Sequence, residues 1–153
     1  YKIFRKGNIK VGVFGLGVKL EGLVGKKYYG ETKYLDPVAT AQKYADFLRN
    51  TKKCDLVVCL SHLGYDYGQS EDMVSDRKLA AQTYGIDIIL GGHTHTFLTE
   101  PNVLKNSKGV NVLVNQVGWA GILLGRIDFY FDKDKKISKV SFQNQFIDNK
   151  IIV

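Results

Sequence analysis

Two short, unbroken apolar runs separated by one helical pattern constrain this chain more than anything else in it. The runs are Asp55-Leu56-Val57-Val58-Cys59-Leu60 and Ile86-Asp87-Ile88-Ile89-Leu90. A continuous rather than alternating run suits a strand covered on both faces, as in the middle of a parallel sheet. Between them a helix is expected from about Ser75 or Asp76 to Tyr84, with Leu79, Ala80 and Thr83 facing inward and Gly85 ending it. Upstream, Ile9 to Leu16 reads as another buried strand. Asp36-Pro37 then opens a helix, because aspartate caps well and proline fits the first turn. Val38, Ala41, Ala45 and Leu48 mark its buried stripe, and Asn50-Thr51 closes it.

The remaining chain is β-like. Asn111 to Asn115, Ile122 to Phe131 and Ile137 to Phe146 read as strands, the last two joined as a hairpin through Asp132-Lys133-Asp134-Lys135. Residues 17 to 35 read as a Gly-rich loop with a short strand, and residues 61 to 75 as a polar loop. The order is strand, helix, strand, helix, strand, then a run of strands. The first part implies parallel α/β and the last antiparallel pairing. At 153 residues this is one domain of class α/β, with mixed β-sheets layered with helices.

Composition narrows the function classes. With 44% hydrophobic and 24% charged residues, the chain is globular. No apolar run approaches the roughly 20 residues that span a bilayer, so no membrane span is expected. No charged-then-apolar leader opens the chain, and it begins at Tyr1, as if at a boundary made by processing or cloning. The net charge of +7 suits anionic partners. The lysines are scattered, however, with no basic stripe interleaved with aromatics, so nucleic acid is not the expected partner. Cys54 and Cys59 are not a CxxC pair. Five positions apart along a strand they would face opposite ways, and they read as buried free thiols.

The chemistry concentrates in three histidines, His62, His93 and His95. All follow the C-terminal ends of buried strands, the edge at which open α/β sheets bind ligands. Singly, each reads as an ordinary polar strand-end residue. Together they are harder to dismiss. One crossover separates the two strands, which makes them neighbours or nearly so. His93 and His95, two apart, would project to one side of an extended segment, and Gly91-Gly92 before them permits close backbone approach. Imidazole is the commonest protein ligand of borderline transition metals, so the three are expected to converge on a metal site. Asp66 and Asp72 read as turn or capping residues. Trp119 reads as a core aromatic, with lining of a substrate mouth as the alternative, and Asn115 and Gln116 as strand-capping groups, with orienting a ligand as theirs.

Ser61-His62-Leu63-Gly64 and Gly91-Gly92-His93-Thr94-His95-Thr96 resemble the last two motifs of the calcineurin-like metallophosphoesterases, in the 5′-nucleotidase branch. The likeness extends to Tyr1 to Phe4 with Ile9 to Leu16, to Asp36-Pro37-Val38, and to Asn115-Gln116-Val117-Gly118-Trp119 with Leu124 to Ile127. It implies a four-layer α/β/β/α sandwich binding two divalent cations, Zn, Mn, Fe or Co. His62 and His93 would ligate one cation and His95 the other. Phosphate monoesters, nucleotides foremost, would be hydrolysed by attack of metal-bound water or hydroxide. An exported location, periplasmic or extracellular, is also implied.

The family's earlier motifs are missing. No aspartate is followed two places on by histidine, no Gly-Asp occurs, and the only Gly-Asn is Gly7-Asn8, followed by Ile9. Residues 1–153 therefore read as the C-terminal half of the catalytic domain, half of the sandwich. The bridging carboxylate and catalytic histidine would lie upstream, and the isolated chain would be inactive. Such a half leaves an apolar sheet face and a strand edge uncovered. It should occur with its missing N-terminal half or as an intimate homodimer. The alternative is a degenerate, non-catalytic metal- or anion-binding module.

Overall fold

A computed structural model describes residues 1–68, 70 and 73–147. Asp72 lies outside the described residues. The chain runs β1 (Lys2–Lys6), β2 (Ile9–Leu16), α1 (Lys26–Tyr29), α2 (Pro37–Asp46), a π-helical turn (Phe47–Thr51), β3 (Leu56–Ser61) and α3 (Asp76–Gln82). It continues through β4 (Ile88–Leu90), β5 (Asn102–Lys105), β6 (Asn111–Asn115), β7 (Leu123–Phe131) and β8 (Ile137–Phe146). Six strands form one sheet in the order β1-β2-β3-β4-β6-β5. The inner pairs β2–β3, β3–β4 and β4–β6 are parallel, while β1 and β5 pair antiparallel at the two edges. β7 and β8 make a separate two-stranded sheet. The class is mixed α/β, as the alternation of runs implies.

Register sorts the side chains by face, since paired residues point the same way. Gly12 lies opposite Val57, and Phe14 opposite Cys59, which in turn pairs with Ile89. This face carries the helices. Ala41, Ala45, Leu48, Leu79 and Ala80 pack on Phe14, Val57, Cys59, Ile89, Val112 and Val114 to form the core. The opposite face presents Leu56, Val58, Ile88 and Leu90, and the hairpin lies over part of it. Ile127 and Phe129 of β7 close a cavity of about 430 Å³ against Leu56, Val58, Ile88 and Leu90. Farther along that face, Phe4 is 48%, Leu60 49% and Leu90 36% exposed, so part of it is uncovered.

The helix signals act as the residues dictate. Asp36 caps α2 by accepting the Ala39 amide at 2.6 Å, with Pro37 in the first turn. Ser75 caps α3 by accepting the Lys78 amide at 3.3 Å. α2 does not stop cleanly but widens into the π-helical turn, closed by Lys52 N–H to the Phe47 carbonyl. Arg49 in that turn donates to the carbonyls of Gly85, Cys54 and Asp55 and pairs with Asp87, tying α2 to the starts of β3 and β4.

Several expectations fail locally. Residues 17–35 hold the four-residue helix α1 and no strand. α3 ends at Gln82, where the Thr83 hydroxyl closes on the Leu79 carbonyl at 2.7 Å. β4 is three residues long. β5, an edge strand, is an addition. Cys54 and Cys59 are buried free thiols, but Cys54 precedes β3, so strand alternation does not apply to it. Its sulfur lies beside Leu48, on the same side of the sheet as Cys59. Burial pushes the Cys59 thiol far above its ordinary range. Among the described residues no helix is long and apolar enough to cross a membrane.

Candidate functional site

His62 immediately follows β3, and His93 and His95 follow β4 after the Gly91-Gly92 step. β3 and β4 are adjacent and parallel, so both loops leave the sheet at the same rim. The rings of His62 and His93 meet edge to face with centroids 5.2 Å apart. Gly92 makes that approach possible: a Cβ there would stand 3.0 Å from His62 Nδ1. No described residue hydrogen-bonds to any of the three imidazoles. His62 and His95 are exposed and His93 half-buried.

The segment after β4 is not extended. His93 and His95 both hold left-handed backbone, at φ 75° and φ 54°. Non-glycine residues rarely adopt it, and it costs energy that the surroundings must supply. The segment is therefore not the extended one on which the two side chains were expected to share a side. His95 stacks on Trp119, centroids 5.5 Å apart and planes 15° from parallel. Among the described residues no group of three or more His, Cys, Asp or Glu side chains is spaced to hold a metal ion. The structure brings the rings of His62 and His93 together and stacks that of His95 on Trp119.

A buried polar layer holds these loops. Gln116, 2% exposed, donates from Nε2 to the Gly92 carbonyl at 2.8 Å. Its Oε1 accepts from the Thr96 amide and the Thr94 hydroxyl. Thr94 Oγ1 also accepts the Tyr65 amide at 2.9 Å, linking the loop after β4 to the loop after β3. Asp76, fully buried, accepts the Ser61 hydroxyl, and its backbone N–H donates to the Gly64 carbonyl at 2.7 Å. Its Oδ2 has no partner among the described residues and faces Gly91, where any side chain would collide with it. Burial pushes the Asp76 carboxyl up to about 6, with the Ser61 hydrogen bond pulling the other way. Sequence reading finds Asp76 only as a helix start. Gln116 and Asn115 are buried where simple strand caps were expected. Trp119 is not a core residue: it is 55% exposed. Asp66 is a turn residue as expected, accepting the Gly68 amide at 3.1 Å and pairing with Arg77.

The donor set fits part of a cation site. Two imidazoles with ring centroids 5.2 Å apart, free of internal hydrogen bonds, suit a borderline divalent metal. Two cations roughly 3.5–4 Å apart need carboxylate as well, and these residues supply none.

Comparison with known proteins gives the family. The model of the calcineurin-like phosphoesterases matches residues 6–97, more than half of the chain. The chain is 32% identical over 125 residues to the trifunctional nucleotide phosphoesterase protein YfkN of Bacillus subtilis, covering 81% of this chain and 8% of that protein. It is 31% identical over 154 residues to the snake venom 5′-nucleotidase of Gloydius brevicauda, covering 92% and 24%. The crystal structure of the 5′-nucleotidase precursor from Thermus thermophilus superposes with a TM-score of 0.75 at 30% identity, covering 96% of this chain and 29% of that one. The chain therefore spans less than a third of the length of each of these relatives. The matched stretch holds β2, both parallel crossovers and all three rim histidines, and on that match the chain belongs to the calcineurin-like phosphoesterase family.

Proposed function

We propose that this chain is the C-terminal half of the catalytic domain of a two-metal phosphoesterase whose substrates are phosphate monoesters, nucleotides among them. The carrying observation is the pairing of His62 and His93 at 5.2 Å, without internal hydrogen bonds, on the rim where β3 and β4 end. In this reading His62 and His93 hold one divalent cation and His95 contributes to a second. Such cations supply Lewis acidity to the phosphoryl oxygens and activate water for in-line attack. The chain's own residues do the holding. Gln116 and Thr94 fix the loop bearing His93 and His95, and Ser61 with Asp76 fixes the start of the loop bearing His62.

The missing carboxylates and catalytic histidine come from an upstream half in this reading. The exposed Phe4, Leu60 and Leu90 on the sheet face away from the helices support it, because a covering layer there would bury them. A second copy of the chain is the other occupant considered for that face. Relatives named for nucleotides and for a venom support a nucleotide substrate and an exported, extracellular or periplasmic location.

The test is an assay of the chain and of the longer protein containing it on p-nitrophenyl phosphate with Mn²⁺. The longer protein should hydrolyse it and the chain alone should not. Full activity in the chain would overturn the division of ligands. Metal uptake by the longer protein without hydrolysis would favour a non-catalytic binding module instead.

A further inference from the structure

We propose that the end of the six-stranded sheet opposite the histidine rim is a docking surface for an anionic lipid bilayer. The inference goes beyond the phosphoesterase reading and does not rest on it.

Lysines that lie scattered along the sequence are gathered by the topology. β2, β3, β4 and β6 run parallel, so their first residues share the end away from His62 and His93. β1 and β5 run the other way and bring their last residues to it. Arg5 and Lys6 close β1, and Lys10 lies at the start of β2, opposite Arg5. Lys52 and Lys53 precede β3, Lys105 closes β5 and Lys108 precedes β6. With the strands in the order β1-β2-β3-β4-β6-β5, Lys6 and Lys105 stand at opposite edges of the sheet, about 25 Å apart.

The carboxylates at this end are half-buried and occupied. Asp55 accepts the Lys10 amide at 2.7 Å, Asp87 pairs with Arg49, and Asp46 accepts the Tyr84 hydroxyl at 3.4 Å. Arg5, Lys6, Lys53, Lys105 and Lys108 are exposed, and among the described residues none of them pairs with a carboxylate. Glu21 and Glu31 follow β2 and Glu100 follows β4, all toward the rim. Much of the +7 charge therefore stands at the end away from the histidines.

The neighbours of these cations favour a bilayer over a nucleic-acid strand. A single strand binds by stacking its bases on open aromatic faces. Here Lys52 Nζ lies 5.2 Å from the Phe47 ring centroid, and Lys108 Nζ 3.4 Å from that of Tyr84, so lysine already covers both rings. Val110, 60% exposed, stands two residues from Lys108 in a loop held by Asn106 Oδ1, which accepts both their amides. A water-soluble polyanion offers nothing to that aliphatic side chain, whereas a bilayer offers its headgroup–acyl boundary. Docked by this end, the chain turns the His62–His93 rim toward solvent.

The test is sedimentation of the chain with vesicles of phosphatidylcholine, alone or mixed with phosphatidylglycerol. Each lysine brought to an anionic surface is worth about 5-fold in partitioning. The chain should bind only the vesicles that contain phosphatidylglycerol, and leave them as NaCl rises from about 0.1 M to about 0.5 M. Lys6→Gln with Lys105→Gln, at the two edges of the row, should weaken binding about 25-fold. Lys26→Gln with Lys27→Gln, which removes the same charge from α1 in the loop after β2, should change it little. Both pairs are exposed, and urea unfolding checks that each variant folds as the parent does. No binding to phosphatidylglycerol vesicles, or equal losses from the two pairs, would overturn the inference. Retention on immobilised heparin without vesicle binding would also overturn it, in favour of a soluble polyanion.

Discussion

Raising the pH should weaken this fold through Asp76, and replacing it with asparagine should remove the effect. Asp76 is the first residue of α3, fully buried beneath the loops that carry the histidines. Its Oδ1 accepts the Ser61 hydroxyl and its Oδ2 has no partner among the described residues. Burial raises its pKa from 3.8 to about 6. The folded state therefore holds this proton more tightly than the unfolded state does. Below about pH 4 both states are protonated and the contribution is complete; it is lost as pH rises through about 6, where both become ionised. The gap between 3.8 and about 6 corresponds to about 3 kcal/mol. Asparagine keeps the volume and cannot ionise. Urea unfolding of both proteins, with chelator present, should show the Asp76→Asn variant gaining about 3 kcal/mol relative to the parent between about pH 4 and about pH 7. Other carboxylates, including Asp87, cancel in that difference. A gap independent of pH would refute the argument, because it would mean that the Asp76 carboxyl titrates alike in both states.

Two further substitutions probe the site and its frame. Gly92→Ala puts a Cβ 3.0 Å from His62 Nδ1. Displacing that ring should weaken divalent-metal binding about 10-fold or more, measured calorimetrically with Zn²⁺, while urea stability changes far less. Arg49→Ala removes donors to three carbonyls and leaves Asp87, already raised by burial, with only the Val57 amide at 2.7 Å. The pair is about one-quarter exposed, so the loss should be about 2–3 kcal/mol in urea unfolding, less than for a fully buried pair. An unchanged midpoint would show that the guanidinium does not anchor the π-helical turn.

The legible parts of the fold are those in which burial and local chemistry agree. β3 and β4 are central, so their runs are apolar on both faces; α2 and α3 announce themselves through Asp36-Pro37 and through Leu79-Ala80. β5 is missed because an edge strand of four residues, opening just after Pro101, has no continuous apolar run. The His62–His93 pairing follows from adjacent parallel strands, which the strand order already implies. The compact turn through His93 and His95 does not, because left-handed backbone at histidine leaves no mark in residue type. Trp119 is misread for the opposite reason. Its size argues for the core, but the flanking Gly118 and Gly121 are the turn signal that lifts it out. Asp76 is invisible as a buried group because a helix start is normally solvated, and only the tertiary fold reveals that this one lies under two loops.

The central claim is that the His62–His93 rim takes a divalent cation, and Co²⁺ tests it most directly. X-ray absorption of the chain loaded with Co²⁺ should report imidazole nitrogen in the coordination sphere, reduced in His62→Ala and again in His93→Ala, with weaker uptake in each. Co²⁺ bound with the same affinity and the same nitrogen coordination in both variants would contradict the account.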